Sequence, residues 1–462
     1  MKIPATPPEF RQAFSKLYGQ AEKKEQAGDR ALLTTLFKVS TTDAKGRYLH
    51  WEELRYRDDP PPPLDIQSHW VVMRHARYIR SQLVSFLDKK RDAPFAFTPT
   101  DEIARALHEI DSQTRGGVRF PGAPPKDQEA ERFLVKSLIE EPFNSSLLEG
   151  AATTRDQAVR LIRENKRPKT IGERMVLNNY RAIEFIKSQK EERLTTAIIH
   201  ELHKIITEDT LEQKNKAGVF RDSSDNINVV DEINGEVLHA PPLANELPGR
   251  MQMICNFAND DGKTGAFIHP IIRAIILHFM LAYDHPYVDG NGRTARALFY
   301  WSVIKSGYWL LEYVSISRII NIAPTKYGMA FLYTETDGND LTYFIHHQLA
   351  VLQKAINELN AFIIRKQAEV RSLNNALNSK RLKDKLNHRQ LAVLHDAIRS
   401  PKTTYTIREH QTIHGVSYLT ARNDLEGLAD LGFLAKHKHG NKSLYRPAMG
   451  LSKKVGAGGS KS

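Results

Sequence analysis

Apolar side chains recur at three- and four-residue intervals along most of this 462-residue chain, a pattern that predicts a mainly helical protein. Phe10, Phe14, Leu17 and Ala21 mark a helix within residues 8–27, and Trp70, Met73, Ile79, Leu83 and Phe86 carry the same period across Asp65–Asp88. The Pro60–Pro63 run between them cannot continue a helix. His50, Trp51, His69 and Trp70 follow no ligand spacing and are expected as core aromatics with histidines that reach toward the surface. Thr100–Ser112 is the next helix, ending before the Gly- and Pro-rich segment Thr114–Pro125, where a domain boundary is placed. Phe133, Leu134, Leu138 and Ile139 give Asp127–Gly150 an apolar face that Pro142 kinks or restarts. Glu173–Ser188 and Leu194–Thr207 continue the pattern, with His200 and His203 expected on different faces and so not sharing a metal. His269–Ala282 is apolar nearly all round, as a central buried helix would be, and His269 and His278 read as core or capping histidines. Ile316–Ile322 and Tyr327–Thr334 join the same core, and Asp340–Gln367 is a long helix leading out of it.

The period changes to two within Gly218–Pro242. There Asn234-Gly235 between extended runs predicts a tight β-hairpin. A second change follows the basic connector Lys380–Arg389: a short strand at Thr403–Ile407, helices at Arg408–Ile413 and Val416–Leu431, and a hairpin at Ala435–Arg446. The expected organisation is an N-terminal helical domain (1–125), a helical core (126–379), a small C-terminal domain (380–449) and a tail (450–462) too small and polar to fold.

Composition adds little to this picture. No stretch approaches the ~20 apolar residues of a membrane span and the N-terminus lacks a signal-like apolar run, so a cytoplasmic, membrane-free protein is expected. The single cysteine, Cys255, excludes an internal disulfide and a cysteine-cluster metal site and reads as a buried small residue. The excess of 66 basic over 54 acidic residues is a modest hint of a polyanionic partner.

Chemistry concentrates in Asp284–Leu298. The Gly290-Asn291-Gly292 turn opens a helix, whose free N–H groups and dipole favour an anion, and the glycines allow positive φ and close approach. Arg293 and Arg296, three apart, can both face a polyphosphate, and Asp289 offers the hard oxygen of a minimal Mg²⁺ site. His285 is placed to take a proton from a hydroxyl. Upstream, Ser145 and Glu149 share one helical face before Gly150, a natural C-terminal cap. A carboxylate at that end of a helix opposes the dipole and calls for a cationic partner.

The run His285-Pro-Tyr-Val-Asp289-Gly290-Asn291-Gly292-Arg293-Thr-Ala-Arg296 resembles the signature of the Fic family, His-Pro-Phe-x-(Asp/Glu)-Gly-Asn-Gly-Arg-x-x-Arg, departing only at Tyr287. Ser145-Ser-Leu-Leu-Glu149-Gly150 resembles the family's inhibitory motif, whose Glu pairs with the second motif arginine, here Arg296, and blocks the seat of the ATP γ-phosphate. The resemblance implies a Fic-type helical bundle with a β-hairpin flap that holds the target segment as an added strand. It also implies transfer of AMP from ATP to a Ser, Thr or Tyr hydroxyl of a target protein, the chain itself being one candidate. His285 would be the base, Asp289 the Mg²⁺ ligand, and the Gly290–Gly292 amides with the Asn291 side chain the α-phosphate cradle. Arg293 and Arg296 would neutralise pyrophosphate. Gly218-Val-Phe-Arg221 and Ala240-Pro-Pro resemble the flap's surroundings, and Tyr327-Gly-Met-Ala-Phe-Leu the adenine pocket. Gly292, where kinase-like relatives have Lys, favours AMP transfer.

The C-terminal segment resembles a winged helix-turn-helix, which implies DNA contacts from Ser417, Tyr418, Thr420, Arg422, Lys436, Lys438 and Lys442, or else a protein-docking role. Two alternatives stay open: a hydrolase in which Glu149 helps remove AMP, and a nucleotide-sensing transcription regulator. A homodimer is compatible with all three.

Overall fold

The computed structural model describes residues 2–57, 60–88, 93–114, 138–163, 166–231, 233–260, 266–377, 385–399, 403–439, 442–451 and 454–455. They form two compact units, Met1–Leu359 and Asn360–Ser462. The boundary expected at residue 125, the Phe133–Leu134 part of the predicted helix and the connector at 378–384 lie outside the described residues.

The first unit is helical, as the three- and four-residue spacing requires. Its centre is the helix Pro270–Asp284, buried at every position from Ile271 to Leu281. Against it lies Asn291–Lys305, which buries Leu298, Phe299, Tyr300 and Trp301. The N-terminal helices are part of the same unit. Arg77, 3% exposed, donates to the carbonyls of Thr41 and Leu49 and to the Tyr343 hydroxyl, and its guanidinium lies 3.8 Å from the Tyr48 ring centre. A fixed planar fork suits such a buried junction because each N–H finds an acceptor.

Two expectations require correction. The helix predicted over Asp65–Asp88 ends at Arg80, and Gln82–Asp88 is a strand paired antiparallel with Ala93–Phe97. Val84, Phe86 and Asp88 are buried while Leu83, Ser85 and Leu87 are exposed, a period of two that the chance spacing of Ile79, Leu83 and Phe86 conceals. The second concerns the hairpin of Val229–Val230 and Val237–His239, which closes through a wider loop than a two-residue turn. The Asp231 N–H donates to the Glu236 carbonyl and the Gly235 N–H to Asp231. Only Gly235 of the Asn-Gly pair has positive φ, so the mirror-image turn that needs both residues left-handed does not form.

His50, Trp51, His69 and Trp70 are all buried core side chains, with the histidines enclosed rather than reaching solvent. Cys255 is buried in Leu247–Asn259.

The second unit holds helices His388–Arg399, Ile407–His414 and Tyr418–Asp430 and a three-stranded antiparallel sheet, in which Lys442–Pro447 lies between Tyr405–Thr406 and Leu434–His439. Leu394, Ala397, Ala421, Leu425, Leu428 and Tyr445 form its core together with Leu451 and Val455, so the tail expected not to fold from residue 450 packs its first apolar side chains here. Thr406 and Glu409 close a reciprocal capping box at the first turn of Ile407–His414. Among the described residues no helix is long and apolar enough to cross a membrane.

Candidate active site

The site is built where the central helix stops. His269 caps its start, accepting from the Ile271 N–H, and Pro270 occupies the first helical position, where its missing N–H costs nothing. At the far end His285 takes a left-handed backbone conformation, φ 45°, which a non-glycine residue holds only under constraint. Arg221 supplies that constraint. Its backbone N–H donates to the Pro286 carbonyl at 2.9 Å, its Nε to the His285 carbonyl at 2.7 Å, and its Nη2 to the Pro242 carbonyl beside the flap.

The loop then reaches Gly290, φ 81°, where a side chain would run into Thr207 and His203. His203 holds this turn from behind. Its Nδ1 accepts from the Gly218 N–H and its Nε2–H donates to the Asp289 carbonyl, both at 2.8 Å, while its ring stacks on Tyr287 at 3.7 Å. His200 Nδ1 lies 3.1 Å from the Tyr287 hydroxyl. The two histidines therefore meet at one aromatic ring rather than on separate faces, because three residues along a helix are rotated only about 60° from a full turn. Among the described residues no cluster of His, Cys, Asp and Glu could hold a metal.

The catalytic candidates fall as follows. His285 rests Nδ1 against the Ala282 carbonyl at 3.4 Å, which leaves Nε2 with the lone pair, and burial pushes its pKa down to about 4. Asn291 is spent on the loop itself: its Oδ1 accepts from the Tyr287 N–H and its Nδ2 donates to the Tyr287 carbonyl. Its side chain is thus a staple across the turn, and what it can offer an anion is its backbone N–H. Arg293 is 1% exposed, shares one nitrogen with both Asp289 oxygens at 3.2 Å, and has Nε and Nη1 buried without a hydrogen-bond partner among the described residues. Two orphan donors on a buried cation are costly unless an anion completes them. The Asp289 side chain is 54% exposed, a single accessible carboxylate of the kind Mg²⁺ uses when substrate phosphates supply its other ligands.

Arg296 is held from the opposite side. Nε donates to Ser145 Oγ at 2.8 Å, and Nη2 to the Ser145 carbonyl at 3.1 Å and to Glu149 Oε1 at 2.7 Å. Glu149 ends the helix Glu140–Leu148, followed by Gly150 at φ 82°. Its carboxylate lies over Gly292, in the space a side chain there would fill. Glu149, His285, Gly292, Arg296 and Tyr327 line one cavity of about 280 Å³, floored by Phe331 and Leu332. The Tyr327 hydroxyl is 2.9 Å from His278 Nε2.

Sequence reasoning missed three groups here. Arg221 was noticed only as part of a resemblance. His239 sits on the flap strand, with Nδ1 2.9 Å from Glu335 and Nε2 donating to the Tyr283 carbonyl at 2.7 Å, in contacts that no local spacing signals. Glu141 is a third, discussed below.

In the second unit, Ser417 caps Tyr418–Asp430 through the Thr420 N–H, and Tyr418 is 54% exposed. Arg422 and Lys436 both pair with Glu426, at 3.1 and 2.8 Å. Lys438 is exposed; the Lys442 side chain lies outside the described residues.

The Fic/DOC family profile matches residues 193–303. The protein adenylyltransferase Fic of Nematostella vectensis is 30% identical over 257 residues, 53% of this chain and 55% of that protein. The namesake of Drosophila virilis is 36% identical over 70 residues, 15% of this chain and 14% of that protein. The chain thus spans about half or less of the length of these curated relatives. The crystal structure of a Fic family protein from Desulfovibrio desulfuricans G20 is 17% identical with a TM-score of 0.50, covering 77% of this chain and 98% of that one, a likeness of fold alone. The family profile spans the region that holds the loop, its flap and both arginines, and the curated relatives share that name, so over residues 193–303 this chain is similar to the Fic/DOC family.

Proposed function

We propose that the chain is a protein adenylyltransferase that moves AMP from ATP to a hydroxyl of a target protein and that Glu149 restrains it. The observation that carries this reading is a buried cation with two orphan donors, Arg293, beside a neutral imidazole and a helix N-terminus. His285 Nε2 takes the proton of the target hydroxyl. That oxygen forms a bond to the α-phosphorus while the bond to the bridging oxygen of the β-phosphate breaks, and pyrophosphate leaves with the electron pair. Arg293 and, once freed, Arg296 neutralise the departing charge, and the N–H groups of Asn291 and Gly292 face the α-phosphate, that of Gly290 being held by the Asp289 carboxylate. Asp289 would hold Mg²⁺, which when bound lowers the charge of the phosphates. Tyr327, Phe331 and Leu332 offer an apolar seat for the base. The flap strands expose Val230 and Val237, and beside them lies a groove of about 720 Å³ bordered by Arg221, Asn226, Ile227 and Leu243, where an extended target segment can add as a strand. Label from α-³²P-ATP, and not from γ-³²P-ATP, should become attached to protein. Equal labelling from the γ position would make it a kinase.

Glu149 shares the cavity with His285, which also suits the reverse reaction, with the carboxylate orienting a water against an AMP-modified hydroxyl.

A second reading concerns the C-terminal unit, taken as a winged helix. Residues 360–462 contain 19 basic and 7 acidic residues, and the first 359 contain 47 of each, so the whole excess of +12 resides there. Such asymmetry favours a polyanion such as duplex DNA. Glu426 already occupies Arg422 and Lys436, so the outlying Lys438 would contribute most to binding. Titration of the full chain with duplex at rising salt tests this, since affinity should fall steeply.

A further inference from the structure

Glu141 lies on the same helix as Glu149, eight residues earlier, and plays no part in the chemistry above. It is 6% exposed, yet its carboxylate is fully engaged: Oε2 accepts from Ser315 Oγ at 2.8 Å and from the Ser317 N–H at 3.0 Å, and Oε1 from Ser317 Oγ at 2.6 Å. Ser315 is the cap of the helix Ile316–Ile322, so Glu141 reaches across and completes the first turn of a neighbouring helix. Burial raises its pKa and the serine donors oppose that rise.

A buried carboxylate is an expensive anchor, and here it adds a fixed polar point to an apolar contact in which Phe143 packs with Ile139, Ala158 and Val176. Glu140–Leu148 has no side-chain cap at its start, contains Pro142 and two serines, and at nine residues is too short to persist by propensity. Besides the bonds from Arg296, its other polar ties include an ion pair of the largely exposed Arg155 with Glu140 and two neutral bonds, one on either flank: Asn321 donates to the Asn144 carbonyl at 2.9 Å, and Asn179 to Ser146 Oγ at 2.8 Å. Eight residues of helix amount to about 12 Å of rise, so a fixed point at Glu141 sets how far the C-terminal end projects toward Arg296.

We infer that Glu141 is a positioning residue for self-inhibition: by docking on Ser315 and Ser317 it fixes the register in which Glu149 meets Arg296. This rests on the reading of Glu149 as a restraint and adds the element that sets its strength. Release of the restraint then begins where Glu141 meets Ser315 and Ser317.

The test measures AMP transfer from α-³²P-ATP by the full chain as wild type, E149G, E141A, E141Q and E141A/E149G. E141A should raise transfer by about tenfold, the loss of a charge-assisted anchor, and should add nothing on the E149G background. E141Q, whose amide oxygen can still accept from the Ser317 N–H and the Ser315 hydroxyl, should stay restrained. If E149G is active while E141A is unchanged or lowered in both backgrounds, Glu141 is merely structural and the inference fails. If E149G itself is no more active than wild type, the restraint reading fails first. Should E141A not fold, S317A removes one donor, keeps the backbone N–H contact and should give a smaller rise on the same comparison.

Discussion

Arg296 Nη2 and Glu149 Oε1 stand 2.7 Å apart, and the carboxylate in that pair lies over Gly292, in the turn that opens the helix Asn291–Lys305. The arginine is 3% exposed and the glutamate 24%, so the pair is enclosed enough for its charge to count. Anything that needs Arg296 must first displace Glu149.

Glu149→Gly should therefore raise AMP transfer. A charge-assisted bond of this kind contributes about 1.5–3 kcal/mol, equivalent to roughly tenfold to a hundredfold in the competent population. Arg296→Ala should lower transfer, with no rescue by Glu149→Gly, because in the proposed reaction the substrate uses the same guanidinium. Unchanged or lower forward activity in Glu149→Gly, alongside removal of AMP from a modified target by wild type, would assign Glu149 to the reverse reaction.

His285 should remain neutral far below the usual range of imidazoles. Burial is the first cause and brings its pKa to about 4, so its ring resonances should show a midpoint near that value in an NMR titration of the ATP-free protein. At pH 6 nearly all of it is an available base. His285→Ala should abolish labelling, and an ordinary midpoint near 6.5 would contradict the enclosed site.

Acid should destabilise the first unit early. His50, His203, His285, His346 and His347 all have pKa values lowered to about 4 by burial. The unfolded chain takes up protons near pH 6.5 while the fold refuses them, so stability is full above that pH and is lost as pH falls toward 4. Asp284, raised to about 6, works in the opposite sense and offsets one of the five. Glu141 and Asp340, raised by burial, work with Asp284, and His278, lowered by burial, works with the other histidines, so the histidines set the sign of the slope near pH 5. Thermal melts by circular dichroism from pH 7 to pH 4.5 should show a steep fall, and a flat profile would refute it.

Tyr287→Phe, which restores the family's usual residue, should keep the loop and its activity. The ring still stacks on His203, but the hydroxyl bond to His200 is lost, at a cost of about 1 kcal/mol. An unfolding free energy lowered by that amount in denaturant titration, with unchanged transfer, is expected; loss of transfer would give the hydroxyl a catalytic part.

The parts of this protein that its sequence alone determined are those with short-range causes. A period of 3.6 marked the central helix Pro270–Asp284, because an apolar surface all round admits only a buried position. Gly290 and Gly292 marked a turn opening a helix, and Gly150 a helix end, because left-handed backbone and close approach leave few alternatives to glycine. His285 and both arginines stood in one loop and could be read together. Residues 82–88 misled because two periods coincide over so short a run. Only the tertiary structure decided which residues hold that loop and the helix facing it: Arg221 on the carbonyls of His285 and Pro286, His203 on Asp289 and His239 between Glu335 and Tyr283 for the loop, and Glu141 on Ser315 and Ser317 for the helix that ends at Glu149. These contacts join positions 44 to 176 residues apart. No local spacing encodes them, because what brings the partners together is the packing of whole helices, and a buried polar group takes whichever acceptor or donor that packing leaves within reach.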